Sequence, residues 1–353
     1  MPTRDPLPPW PPEWPEIGNA IQATVQSGDW GRYQGPAIDS LTQHLIELTQ
    51  LEHCRLVSSG SLGVELALKA AAVKPNDRVV VCGYDYPGNI RAVEALGARP
   101  LLIDADENGN SLSAVELERL AATRLERVSA VVVSHLYGVP AAVESHHQIC
   151  KQQGWCLVED ACQTPGARIA DRPAGAWGDV AVFSFGGSKP LTAGCGGAVV
   201  SGEGRIASRL TAWLDRPSHA APVSELQAAA LLPQLQRLPR CNEIRNQTLA
   251  EILRRVSWVR ESLCGPPPSI TCYKLAVLSE HRDRLLEALR KRGIPAGPGY
   301  RSMHRSRRCD KFGDLTRSQQ LGEQVVVIDH RALLAESDAR EWLIETLEQV
   351  RVV

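Results

Sequence analysis

Four stretches of this chain carry residue types able to do chemistry, and each adjoins an apolar run. Lys189 stands in FSFGGSKPLTAGCGG (183–197), between a run that reads as a buried strand and three glycines in four residues, Gly194, Gly196 and Gly197. A lysine is rarely held at the edge of a core without a partner. Asp160 directly follows WCLVE (155–159). SSGSLG (58–63) opens the helical pattern VELALKAAA. Serines and glycines at a helix start offer free N–H groups and hydroxyls, and the helix dipole adds to them, so this stretch suits a phosphate. Tyr86, in GYDY (83–86) after RVVVC, offers a flat face to a ring. Ser184 alternates with Phe183 and Phe185, which points its hydroxyl away from the two phenylalanines. Each group alone has an ordinary explanation: an N-cap serine, a capping aspartate, a solvated lysine, a core tyrosine. Together, an amine, a carboxylate, a phosphate cradle and an aromatic face match the needs of pyridoxal phosphate. The amine condenses with the aldehyde, and the carboxylate keeps the ring nitrogen protonated so that the ring accepts electrons. Lysine suits the task because desolvation and neighbouring cations lower its pKa.

Such groups need a scaffold that gathers strand ends. From about 55 to 205, apolar runs at 78–82, 99–104, 129–135, 155–159, 180–185 and 197–202 alternate with helical patterns at 64–72, 89–97, 113–124 and 145–154. Continuous apolar strands joined by helical crossovers predict an α/β domain with a mostly parallel sheet covered on both faces. Ligands of such sheets bind at the carboxyl ends of strands, where all four groups fall. After about 205 the texture changes. Helical stretches at 224–238 and 241–256 precede a breaker, GPPPS (265–269), a short strand at 271–278, a helix at 281–293, a glycine/proline loop and a last helix at 335–350. The expected organisation is a proline-rich extended arm over 1–20, a large α/β domain over 21–220 and a smaller α+β domain over 221–353.

Bulk composition excludes several classes. The 353 residues exceed what one core usually supports. Net charge is −1 and pI about 6.8, so nothing points to nucleic acid or an anionic membrane surface. Ten cysteines are scattered without a CxxC pair, several inside apolar runs. That reads as reduced thiols in a cytoplasmic protein, without a disulfide framework or a metal site. The opening MPTRDPLPPWPPEWP lacks the apolar core of a secretory signal, and no stretch is long enough to span a membrane.

The chain resembles the DegT/StrS-type sugar aminotransferases, fold-type I pyridoxal-phosphate enzymes, from about Trp30 to its C-terminus. The resemblance is carried by GDWGRYQGP (28–36), SSGSLGVELAL (58–68), VVVCGYDYPGNIRAVEALGARPLLIDAD (79–106), SHLYGVPA (134–141), SELQAAALLPQL (224–235) and RDRLLEALRKRGI (282–294). Most specific is VEDACQTPGARIADRPAGAWGDVAVFSFGGSKPLTAGCGGAVVSGE (158–203). It implies a large domain with a seven-stranded type of sheet. It also implies roles. Lys189 is the Schiff-base lysine and proton shuttle. Asp160 pairs with the ring nitrogen, Gln163 lies near the ring hydroxyl, and Tyr86 stacks on the ring. Gly60, Ser61, the backbone of Leu62 and Ser184 hold the phosphate. His135, His304 and Arg91 are candidates on the substrate side. The family is dimeric with active sites at the interface, so a homodimer is expected, with the partner completing the phosphate site. The implied reaction moves an amino group from an amino acid, with glutamate as expected donor, to a keto sugar, nucleotide-linked in the leading expectation; cyclic ketones also fall within the family's range.

The chain departs from the family pattern at Pro190, Cys195, Ala220 and Pro222, and at Asn89 and Arg91. Relatives with dehydratase activity carry His in place of the lysine, and this chain keeps Lys189. The other alternative is a cofactor-binding or regulatory protein that no longer transaminates.

Overall fold

Valine runs build the central sheet. The computed structural model describes residues 6–109, 111–215, 220–259, 262–264 and 271–350. Strands β1 (His53–Val57), β2 (Arg78–Cys82), β3 (Arg99–Ile103), β4 (Val128–Ser134) and β5 (Cys156–Asp160) are followed by a two-stranded excursion, β6 (Arg168–Ile169) and β7 (Arg172–Pro173). Then come β8 (Val180–Ser184), β9 (Gly197–Ser201), β10 (Leu275–Leu278), β11 (Ala296–Pro298), β12 (Asp310–Lys311) and β13 (Val325–Ile328). Eight of them form one sheet in the order β1-β9-β8-β5-β4-β2-β3-β12. Only β9 runs against its neighbours; β8-β5-β4-β2-β3-β12 are parallel. Val79–Val81, Ala130–Val133 and Ala198–Val200 have no exposed surface, as strands covered on both faces must.

The helices are α1 (Pro15–Ser27), α2 (Pro36–Thr49), α3 (Gly60–Ala70), α4 (Pro87–Ala95), α5 (Ala114–Ala122), α6 (Val143–Gln153), α7 (Gly204–Leu214), α8 (Glu225–Arg255), α9 (Arg282–Lys291), α10 (Thr316–Gln324) and α11 (Ser337–Glu348). One side of the sheet packs against α3, α4 and α7 through Val64, Ala67, Ile90, Val93, Ile206 and Leu210. The other packs against α5 and α6 through Leu117, Leu120 and Val143, and against α2 and α8 through Leu41, Leu45, Leu231 and Leu235. A second, smaller sheet, β10-β13-β11, is antiparallel and shares a core with α9, α11 and the end of α8.

Three expectations need correction. The extended arm does not reach residue 20: α1 starts at Pro15, with proline at the first helical position and Gly28 closing the helix at φ 77°. The two helices expected around 239 are one 31-residue helix, α8, running through Pro233 and Pro239. An interior proline costs about 3 kcal/mol. Burial offsets it, since Leu231, Leu235 and Leu238 pack in the large-domain core and Leu249 and Ile252 in the small-domain core. The division at 221 therefore falls at no structural break: α8 belongs to both cores, and β12 crosses back to extend the large sheet beside β3. Asp310 fixes that crossing by pairing with Arg78 and Arg99. Among the described residues, no helix is long and apolar enough to cross a membrane.

Glu225, at the start of α8, has no exposed surface. Its two oxygens accept the N–H groups of Ala37 (3.0 Å) and Ile38 (2.9 Å), where α2 has no cap of its own. Gly35 leaves room for it: a Cβ there would sit 2.7 Å from the Glu225 carboxyl carbon. Glu225→Ala removes both charge-assisted bonds and is expected to lower stability by about 2–4 kcal/mol, read from the urea midpoint, with Glu225→Gln recovering part of the loss.

Candidate active site

The carboxyl ends of β2, β5 and β8 and the start of α3 face one cavity of about 430 Å³. Its walls include Gly60, Ser61, Tyr86, Asn89, Asp160, Gln163, Ser184 and Lys189. The structure thus brings together seven of the residues singled out from sequence. Ser59 caps α3, its hydroxyl accepting the Leu62 N–H at 3.1 Å. The Leu62 backbone assigned to phosphate is therefore already engaged, and Leu62 does not line the cavity. Gly60 is a required glycine: a Cβ would lie 2.7 Å from Ser184 Cβ and 3.2 Å from Cys162 Sγ. The close approach puts the start of α3 beside the Ser184 hydroxyl. Ser61 Oγ lies 3.2 Å from the Tyr86 hydroxyl, so the aromatic wall and the helix start are linked.

Asp160 ends β5, and β4–β5 pairing places it opposite Ser134. It is 4% exposed. Its Oδ1 accepts the Cys162 N–H and its Oδ2 accepts the Asn89 amide, each at 3.1 Å. The Asn89 amide also donates to Ser134 Oγ at 3.0 Å. Gln163 accepts the Tyr137 N–H at 2.9 Å and donates to the Tyr300 hydroxyl at 3.3 Å.

Lys189 sits on the loop after β8, its N–H bonded to the Gly186 carbonyl. Burial pulls its pKa down, but the phenol of Tyr273, the thiol of Cys162 and the carboxylate of Asp160 outweigh burial and hold it above the ordinary lysine value. Its ammonium lies 5.6 Å from the Tyr273 ring centre and 6.0 Å from that of Tyr86. The loop is clamped from two sides. The Tyr273 hydroxyl donates to the Ser188 carbonyl, and the Trp10 indole to the Gly187 carbonyl.

The remaining three candidates lie elsewhere. His135 has no exposed surface and faces the opposite side of the sheet from Ser134. Its Nδ1 accepts the Ala141 N–H at 2.9 Å, which leaves the proton on Nε2, donated to Glu159 at 2.7 Å. Glu159 also gathers the N–H groups of Gly175, Trp177 and Gly178. Burial opposes its ionisation, but the His135 and backbone donors prevail and hold its carboxyl below the usual range. His135 is a core histidine, placed away from the cavity by strand alternation. His304 is half-buried, bonded to Ser302 and Arg305, and off the cavity wall. Arg91 is exposed on α4. Sequence reasoning did not single out Asn89 as an Asp160 partner, nor Tyr273, Lys274 and Tyr300, which the small domain delivers to the wall. Lys274 and Tyr300 also line a neighbouring cavity of about 500 Å³, with Arg290 and Asp329.

A family model described as the DegT/DnrJ/EryC1/StrS aminotransferase family matches residues 13–347. The chain belongs to this family. It is 29% identical over 343 residues to the dTDP-3-amino-3,4,6-trideoxy-alpha-D-glucose transaminase of Streptomyces venezuelae, covering 89% of each chain. It is 31% identical over 268 residues to the L-glutamine:2-deoxy-scyllo-inosose aminotransferase of Micromonospora echinospora, covering 68% of this chain and 63% of that one. A solved family aminotransferase from Brucella abortus superposes with a TM-score of 0.87 at 23% identity, covering 94% of both chains. Family aminotransferases thus share both its sequence and its α/β fold.

Removing the His135 ring strips one donor from a buried carboxylate and opens a cavity. His135→Ala is expected to cost about 2–4 kcal/mol of stability, measured by thermal unfolding, while His304→Ala changes it by less than about 1 kcal/mol.

Proposed function

We propose that the chain is a pyridoxal-phosphate-dependent aminotransferase that passes an amino group from an amino acid, with glutamate as the donor to test first, to a ketone on a nucleotide-linked sugar or a related cyclic polyol. The observation that carries this reading is the convergence of the Lys189 amine and the buried Asp160 carboxylate on one cavity, beside the start of α3. The residues present fit the cofactor. A buried carboxylate held by amide donors suits a ring N–H, and the missing Cβ at Gly60 leaves the helix start close to Ser184.

In this reading Asp160 would hold the ring nitrogen in its protonated form, Tyr86 would cover the ring, and Ser61 and Ser184 would take the phosphate with the start of α3. Gln163 bears on the ring hydroxyl. When bound, the cofactor would supply an electron sink for the bond broken at the donor's α-carbon. Lys189 Nζ takes the proton from the donor's α-carbon and returns one when the acceptor is aminated. The acceptor reaches towards Lys274 and the second cavity, where Lys274 and Arg290 suit phosphate or carboxylate oxygens. A second copy of the chain would complete the phosphate site. The two relatives support the acceptor class, one named for a nucleotide-linked sugar and the other for a cyclitol ketone.

The test is a visible absorbance titration of the purified protein with pyridoxal phosphate, before and after glutamate, with Lys189→Ala alongside. A band that glutamate bleaches and the variant lacks is the expected result. The variant should also lose at least about 10²-fold in turnover. A band that no amino donor alters would favour a non-transaminating protein, and no band at all would end the cofactor reading. Lys274→Ala is expected to raise the acceptor KM about tenfold, the loss of one charge-assisted contact, with the donor half-reaction unchanged.

A further inference from the structure

Behind the cavity wall lies a second carboxyl group that the proposed reaction does not use. Asp85 follows Tyr84 in the loop after β2 and is 1% exposed. Its Oδ1 accepts the Tyr86 N–H at 2.6 Å; its Oδ2 is buried without a partner. Asn89 and Ser134 stand beside it. Both amide hydrogens of Asn89 are already committed, one to Ser134 and one to Asp160, and its carbonyl Oδ1 is also buried and unpartnered. Two buried acceptors therefore lie unsatisfied on neighbouring side chains. Ser134, whose hydroxyl accepts from Asn89, has one hydrogen to offer Asp85, but an ionised Asp85 would still leave Asn89 Oδ1 unpartnered, at a desolvation cost. A proton on Asp85 Oδ2 turns one of them into a donor and gives the other something to accept.

The titratable groups facing Asp85 are all acids: Asp160 on β5, Cys82 at the end of β2, and Tyr300 from the loop after β11. Burial, and then the Asp160 charge, push the Asp85 carboxyl up to about 7. We propose that Asp85 and Asp160 form a buried carboxyl pair holding one proton, with Asp85 the protonated member, so that the pair carries a single negative charge until the cofactor's ring nitrogen arrives. Asp85 is a positioning residue: it acts through Asn89, which orients Asp160 and is itself lined up by the Asp85 proton. A cationic ring nitrogen at Asp160 favours loss of that proton, so cofactor binding is coupled to proton release near neutrality. This use of the pair rests on the cofactor reading above; the proton itself does not.

Folding takes up a proton at Asp85 between the free carboxylate range and about pH 7. The native state therefore loses stability as pH rises through that window. The experiment compares wild type with Asp85→Asn, a neutral isostere, first without cofactor and then with pyridoxal phosphate. Between pH 6 and 8.5 the wild-type thermal midpoint should fall by about 2 °C relative to the variant, with the fall ending just above pH 7. Over the same range wild-type affinity for pyridoxal phosphate should rise up to about tenfold relative to the variant. Infrared difference spectra of the wild type between these pH values should show a protonated carboxyl band disappearing. Parallel midpoints and no such band would overturn the proposal. If Asp85→Asn fails to fold, the wild-type infrared spectrum alone decides whether the proton is there. A proton detected on Asp85 in a protein that binds no pyridoxal phosphate would uphold the buried pair and overturn the cofactor reading instead.

Discussion

The site depends on keeping one anion, Asp160, out of water. A carboxylate transferred into a protein interior is costly unless hydrogen bonds or a counter-charge replace its hydration. Asp160 receives two donors, the Cys162 N–H and the Asn89 amide. Both are fixed by the fold. The first follows from the turn that ends β5. The second requires α4 to start where it does, and Ser134 to stand beside Asp160 through the β4–β5 register. A shift of one residue in that register would exchange Asp160 for Glu159 and point the wrong carboxylate at the cavity. The dense valine packing of the sheet thus maintains an electrostatic arrangement at its edge.

The large-domain strands were legible because burial on both faces leaves a plain signal: runs such as RVVVC and AVVVS between helical crossovers. Less of the small domain was. Its β13, VVVI, lies in a stretch for which periodicity suggested no element, and β11 is three residues within a glycine/proline run. Helix α8 defeated local reading for a different reason. Its two prolines argue for a break, and only packing against both cores carries the helix through. Local propensity is a weak guide where a helix is buried along most of its length.

The site was legible where chemistry sits at strand ends and was obscured where it depends on parity or on distant chain. Asp160, Ser184 and Lys189 follow apolar runs, and Gly60 and Ser61 open a helix, so each carries a local signal. His135 also ends a strand, yet it faces away. Alternation from Ser134 decides that, and its partner Glu159 is likewise one residue before Asp160. Counting parity across the two strands could have paired His135 with Glu159. Tyr273, Lys274 and Tyr300 had no such cue, since they reach the wall through the packing of the small domain and lie far along the chain from Asp160.

That distance has a consequence for Lys189. A reactive amine on a loop of glycines would lose much conformational freedom on being aimed, at roughly 1–2 kcal/mol per residue fixed. Here the loop is held before any ligand arrives. Its Ser188 carbonyl is bonded to Tyr273 from the small domain, and its Gly187 carbonyl to Trp10 from the opening segment. Trp10 and Tyr273 in turn both meet the His330 ring, at 4.4 and 5.4 Å between centres. The lysine loop is therefore pinned by Trp10 from the opening segment and Tyr273 from the stretch before β10. The glycines let the backbone pass close to the cavity, and the clamp removes the disorder they would otherwise allow. Aim thus comes from outside the loop: the carbonyls on either side of Ser188 are fixed by partners on other elements, so the backbone that carries Lys189 is set before its side chain is.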